Sequence, residues 1–200
     1  MRSKLLVGIV LFAVLVAACT PQVAMEVPKA EESALEDEAE SAAAESNIQS
    51  LDFSIPGEFE IKLYQGQDVY GSDVVSISSI FAEGKPVVIN FYAGMCPTCI
   101  VELPRMQAAY EKYGEQVNFV LVDIGPFVGL GTERDGTNML TAVKVGIPGG
   151  CADNVQVVRD YEVLGTPAAA FYFPDGTLHF QYAGLMTEEL IDETIVNLLQ

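Results

Sequence analysis

Apolar and polar positions along the chain sort into runs of two kinds. Val87–Tyr92 (VVINFY) and Val117–Ile124 (VNFVLVDI) are near-continuous stretches of β-branched and aromatic residues, the pattern of strands buried on both faces. Ala168–Phe173 (AAAFYF) is a third. Phe59–Tyr64 alternates instead and reads as a half-buried strand, with a turn at Gln65-Gly66-Gln67-Asp68. Val74–Ile77 reads as a further short strand, and Ser78–Glu83 as one helical turn closed by Gly84. After the first buried run a helix is predicted from Cys96, with Pro97 as its first residue, to about Tyr113, where Gly114 stops it. Pro104 falls inside this helix, where it removes the bond to the carbonyl of Ile100 and should kink it. Gly125–Gly136 reads as a glycine-rich loop, Thr137–Lys144 as a helix, and Ile147–Cys151 as a break in the chain. Asp153–Tyr161 reads as a helix capped near Asp153 or Asn154. Asp175-Gly176 is a hairpin signal joining the third run to Leu178–Tyr182. An amphipathic helix closes the chain, with Thr187 as N-cap and Leu190, Ile191, Ile195, Leu198 and Leu199 as its apolar face. Strand–helix–strand order followed by a hairpin predicts an α/β fold with a parallel section of sheet and helices on its faces. The sequence contains no internal repeat and no second globular domain.

The pattern changes character before residue 51. Residues 1–18 read as a signal peptide: Arg2 and Lys4 precede the apolar run Leu5–Val16, which is too short for a comfortable membrane span. The run ends in Val16-Ala17-Ala18-Cys19, which resembles a bacterial lipobox and makes Cys19 the candidate lipidation site. An ordinary secretory signal and an uncleaved anchor are the alternatives. Each reading sends the rest of the chain out of the cytoplasm, where disulfides persist. Residues 19–50 are rich in Ala, Glu and Ser, with eight acids against one lysine, and read as an acidic disordered tether. Residues 51–200 are the globular domain. With a formal charge of −18 over 200 residues and no basic patch, nucleic acid is excluded as a partner. The globular part is itself acidic, with about twenty acids against seven bases.

The chemistry lies in Cys96-Pro97-Thr98-Cys99, set between the first buried run and a helix. A helix N-terminus favours a thiolate, and a Cys-x-x-Cys pair closes a small disulfide, so the setting points to a dithiol that exchanges. The spacing alone also fits half of a zinc site or an inert disulfide. Zinc wants four ligands, and in the globular part only Cys151 and the single His179 remain, far apart. Ser76, Ser78 and His179 assemble with no nucleophile into a recognisable site.

Gly84–Ala93, Cys96–Pro104 and Gly165-Thr166-Pro167 together resemble the thioredoxin fold, and within it the TlpA/ResA branch of extracytoplasmic thiol–disulfide oxidoreductases. The resemblance covers about residues 55–200. It implies a central mixed β-sheet flanked by helices with an N-terminal β extension, and a cis Thr166–Pro167 bond facing the cysteine pair. It implies that Cys96, the more exposed sulfur, attacks and that the more buried Cys99 resolves. Glu102 then stands where ResA-like proteins keep a carboxylate near the dithiol, one helical turn from Cys99 and suited to relay its proton. Thr166, Pro167, Met95 and Pro97 become the candidate substrate-binding residues.

Three positions depart from the pattern. Asn90 stands where classical thioredoxins carry a buried acid. Met95 replaces the tryptophan common before the first cysteine. Cys151 has no counterpart, and reads as a buried thiol, a further redox partner or a metal ligand. The leading expectation is a lipid-anchored oxidoreductase that needs no cofactor beyond its own disulfide. Its partners would be protein disulfides, including those of apocytochrome c, and a membrane electron donor. A thiol peroxidase and a metal- or haem-delivery protein are the competing classes; Cys96 lacks the peroxidase Pro-x-x-x-Thr-x-x-Cys context.

Overall fold

The computed structural model describes residues 53–200. The signal-peptide, Cys19 and tether expectations lie outside the described residues. The alternating segment forms β1 (Glu60–Gln65), and the predicted turn after it is instead a short helix, α1 (Gln67–Tyr70), entered through a left-handed Gly66. β2 (Val74–Ser76) returns against β1, and α2 (Ile77–Phe81) follows, with the Ser76 side chain accepting from the amide of Ser79. β3 (Val87–Tyr92) leads to α3 (Cys99–Tyr113), which contains Pro104, and β4 (Asn118–Asp123) comes next.

The segment expected to be a loop holds two helices, α4 (Gly125–Val128) and α5 (Glu133–Val143). α5 begins four residues before the expected Thr137, because Thr132 and Asp135 form a reciprocal capping box: the Thr132 hydroxyl accepts from the amide of Asp135 while the Asp135 carboxylate accepts from that of Thr132. The predicted break at Ile147–Cys151 is also a strand, β5 (Gly149–Ala152). Its glycines run against strand propensity, and crowding explains them: a Cβ on Gly150 would lie 2.0 Å from the carbonyl oxygen of Lys62. α6 (Gln156–Asp160) starts later than expected, with Asn154 accepting from the amide of Gln156. β6 (Ala168–Tyr172), β7 (Leu178–Ala183) and α7 (Glu188–Leu198) complete the described chain. Thr187 caps α7 as expected, but Leu199 is partly exposed and Thr194 joins the buried face in its place.

The strands form one mixed sheet in the order β2-β1-β5-β4-β3-β6-β7. β3, β4 and β5 are parallel, and the remaining neighbours are antiparallel. Side-chain alternation splits the core in two. Val88, Tyr92, Phe119, Leu121, Ala169 and Phe171 face α3, α5 and α7, whereas Val87, Ile89, Phe91, Val120, Val122 and Ala170 face α2 and α6. This is the three-layer thioredoxin-like architecture, with β1 and β2 as its N-terminal extension. The chain enters the described domain beside the β6–β7 turn, where the amide of Ser54 donates to the carbonyl of Asp175 at 3.0 Å. No helix among the described residues is long and apolar enough to cross a membrane.

Candidate active site

All six residues of β3 are buried, and the strand delivers the chain to a tight turn at Gly94-Met95. The amide of Cys96 donates to the carbonyl of Ala93 at 3.0 Å, so Cys96 belongs to this turn. α3 therefore starts at Cys99 and not at Cys96, and Pro97 lies in the turn before it. The Thr98 carbonyl accepts from the amides of Val101 and Glu102, while the side chain of Thr98 caps nothing. What caps the helix is sulfur: the amide of Cys99 points at the Sγ of Cys96 from 3.1 Å, and the Thr98 hydroxyl lies 3.4 Å from the same atom. A thiolate at that position has an amide, a hydroxyl and the positive end of a 15-residue helix to stabilise it.

Cys96 and Cys99 are joined as a disulfide, with Cα atoms 5.3 Å apart. The expected contrast in exposure is almost absent, since Cys96 is 2% exposed and Cys99 fully buried. The exposed groups around them are Met95 at 64% and Ile100 at 52%, together with Pro97 and Thr98. Pro167 follows a cis peptide bond, and the antiparallel register that sets Ala168 against Phe91 carries Pro167 to the same end of the sheet as the cysteine turn. Thr166 is half-buried, and its hydroxyl is buried without a partner.

Glu102 is not a solvated helix residue. It is 0% exposed, on the face of α3 that meets the sheet. Its Oε1 accepts from the side-chain amide of Asn90 at 2.7 Å and its Oε2 from the backbone amide of Met186 at 2.6 Å. Burial holds the Glu102 carboxyl above the usual carboxylate range, opposed by those two hydrogen bonds and by nearby Arg105. Asn90 and Glu102 thus form one buried unit, and a second acid on β3 would meet Glu102 instead of pairing with it.

A second buried acid lies at the same end of the sheet, and the sequence pattern did not mark it. Asp123, the last residue of β4, is 0% exposed. Its Oδ1 accepts from the amide of Gly125 at 2.8 Å and its Oδ2 from the hydroxyl of Tyr64 at 3.0 Å. Burial pushes its carboxyl up to about 6. In register it stands between Tyr92 on β3 and Cys151 on β5, with Lys62 of β1 beyond. The Tyr92 hydroxyl is buried without a partner, and Cys151 is a free, buried thiol pushed up to about 11 by burial. Cys151 is therefore neither disulfide-bonded nor thiolate-like, and no cluster of three or more His, Cys, Asp or Glu suited to a metal occurs among the described residues. His179 packs edge-on against Phe173.

A mixed thioredoxin-like sheet carrying a Cys-x-x-Cys disulfide at a helix start, with a cis proline at the same end of the sheet, defines a thiol–disulfide oxidoreductase of the thioredoxin superfamily. Residues 52–181 match the AhpC/TSA family, and the chain belongs to it. Among curated proteins it is 22% identical over 144 residues to sporulation thiol-disulfide oxidoreductase A of Bacillus subtilis, covering 70% of this chain and 79% of that protein. It is 27% identical over 134 residues to thiol-disulfide oxidoreductase ResA of Oceanobacillus iheyensis, covering 66% of each chain. Among solved structures, the exposed lipoprotein thioredoxin Etrx1 of Streptococcus pneumoniae superposes with a TM-score of 0.59 at 21% identity, covering 70% of this chain and 99% of that one.

Proposed function

We propose that this protein reduces disulfides in polypeptides outside the cytoplasm, with Cys96 as nucleophile and Cys99 as resolving thiol. The observation that carries the reading is the cap on α3, where the amide of Cys99 and the hydroxyl of Thr98 converge on the Cys96 sulfur. The Cys96 thiolate attacks one substrate sulfur and expels the other, leaving a mixed disulfide. Cys99 then loses its proton and attacks the Cys96 sulfur, releasing the substrate dithiol and closing the Cys96–Cys99 disulfide. Glu102, one turn along α3, is the group we assign to take that proton, since burial holds its carboxyl above the usual carboxylate range. Met95, Pro97, Thr166 and Pro167 are the residues we assign to the substrate chain; the first two are exposed, Thr166 is half-buried and Pro167 is buried. Met95 and Pro97 are exposed and apolar, which favours a polypeptide over a small charged substrate.

Location and partners belong to the same reading. The lipobox-like Val16-Ala17-Ala18-Cys19 supports a lipid anchor at Cys19, with residues 19–50 as spacer, and the similar pneumococcal protein is described as an exposed lipoprotein. Anchoring at a membrane suits a membrane electron donor for the oxidised dithiol, and apocytochrome c is the substrate that the sequence resemblance to the TlpA/ResA branch implies.

The deciding experiment is the reduction potential of the Cys96–Cys99 couple, equilibrated against dithiothreitol or glutathione, in the wild-type domain and in Cys151→Ser. A value near that of thioredoxin, about −270 mV or below, is expected of a reductase. A value toward about −120 mV would identify a disulfide-forming oxidant and end the proposal for apocytochrome c.

A further inference from the structure

The buried row Tyr92, Asp123 and Cys151, with exposed Lys62 beyond it, is not consumed by the exchange chemistry, yet it is wired to it. The Oδ1 of Asp123 holds the amide of Gly125 at 2.8 Å. The carbonyl of Gly125 accepts from the amide of Leu130 at 3.0 Å, and the carbonyl of Leu130 accepts from the amide of Met95 at 2.8 Å. Met95 is bonded to Cys96. Three hydrogen bonds therefore connect one buried carboxylate to the peptide that sets the nucleophilic sulfur. Packing reinforces the path. A Cβ on Gly136 would fall 1.9 Å from the Oδ2 of Asp123, and one on Gly94 would fall 2.3 Å from the backbone of Asp135. The first turn of α5 is thus clamped between the acid on one side and the cysteine turn on the other.

We propose that Asp123 is a positioning residue for the dithiol, and that the protonation state of its carboxyl sets the placement of the Met95–Cys96 peptide through Gly125 and Leu130. An ionised carboxylate accepts from both Gly125 and Tyr64. A protonated one keeps both partners only if the Tyr64 hydroxyl turns to accept, and the amide of Gly125 then donates to a neutral oxygen, a weaker bond than the charge-assisted one. The groups facing it are Tyr64 and Lys62 from β1, Tyr92 from β3, Cys151 from β5, and Glu133 and Asp135 from α5; α4 brings no titratable side chain. Lys62 is paired with Glu133 at 3.1 Å, and burial, with the nearby acids adding to it, pushes the Asp123 carboxyl up to about 6. Glu102 lies on a separate element and holds Asn90 and Met186, so its hydrogen bonds share no partner with those of Asp123.

The inference rests on Cys96 as nucleophile, and its test separates the two. In the wild-type protein, nuclear magnetic resonance follows the side-chain carboxyl carbon of Asp123 and the amides of Gly125 and Met95 between pH 4.5 and 8.5. In parallel, mass spectrometry reads the alkylation rate of the Cys96 peptide in reduced protein. The expected result is one shared midpoint near pH 6 for carboxyl and amides, and an inflection in alkylation rate at the same pH. Asp123→Asn should lose the inflection, Tyr64→Phe should move it to higher pH, and Glu102→Gln should keep it. A Met95 amide that stays still while Asp123 titrates overturns the proposal without reference to any variant, as does an inflection that survives in Asp123→Asn. If the Met95 amide follows Asp123 but Cys96 never alkylates, the brace stands and the oxidoreductase reading fails.

Discussion

The side-chain amide of Asn90 donates to the Oε1 of Glu102 at 2.7 Å across the seam between β3 and α3, and neither residue reaches solvent. Each group makes the other's burial tolerable, since an unpaired buried polar group costs about 1–3 kcal/mol.

Asn90→Ala should therefore destabilise the oxidised protein by about 1–3 kcal/mol at pH 8 in urea unfolding. The pH dependence has a definite sign. Burial already holds the Glu102 carboxyl above its unfolded value, so stability falls as pH rises from the ordinary carboxylate range through the raised one. Removing a donor raises it further. The gap between variant and wild type should narrow in acid, where Glu102 is protonated in both folded and unfolded states.

Thr98 gives a second test, directed at the nucleophile. Its hydroxyl is one of two donors aimed at the Cys96 sulfur. Thr98→Val should raise the Cys96 thiol pKa by about one unit, because a hydrogen bond to a charged group is worth about 1.5–3 kcal/mol and one unit is about 1.4. Thiolate absorbance against pH in Cys99→Ser and Cys151→Ser backgrounds measures this, and an unchanged midpoint would remove Thr98 from the site.

Asp123 makes a prediction about stability separate from its role at the dithiol. Its carboxyl is raised from 3.8 to about 6 in the folded chain, so its contribution is fully present below about 4 and is lost as pH rises through 6. Wild-type stability should fall across that window by at most about 3 kcal/mol from this group, at about 1.4 kcal/mol per unit. Chemical denaturation at pH 4 and 7 should show a smaller fall for Asp123→Asn.

Cys151 is expected to be a bystander in exchange. Burial pushes its thiol up to about 11, and its 4% exposure gives little access to reagents. At pH 8 the folded protein should leave Cys151 unalkylated while denaturant exposes it, and Cys151→Ser should leave the Cys96–Cys99 potential unchanged. A shifted potential would make it a participant.

The sequence made the core strands easy to read and their neighbours hard. β3, β4 and β6 are continuous apolar runs, which little else in a globular domain produces. β5 is Gly-Gly-Cys-Ala, a strand only because its neighbours come too close for larger residues, and that crowding is visible only once the sheet is assembled. The start of α5 was legible after all: Thr132 to Asp135 has capping-box spacing, hidden by the glycines around it. The cysteine pair announces itself by spacing, and Glu102 by its place relative to that pair. Asp123 does neither. A lone acid ending a strand reads as solvated, and its hydrogen-bond partner Tyr64 is 59 residues away.

The entry point of the chain has a mechanical consequence. Ser54 is bonded to Asp175 at the β6–β7 turn, whereas the cysteine turn leaves the opposite end of β3, a strand of six residues and roughly 20 Å at about 3.3 Å each. Any load applied through the N-terminus is therefore felt at the pole farthest from the disulfide. A pull exerted there acts on the end of the sheet remote from the disulfide, and the reactive end is the one left pointing away.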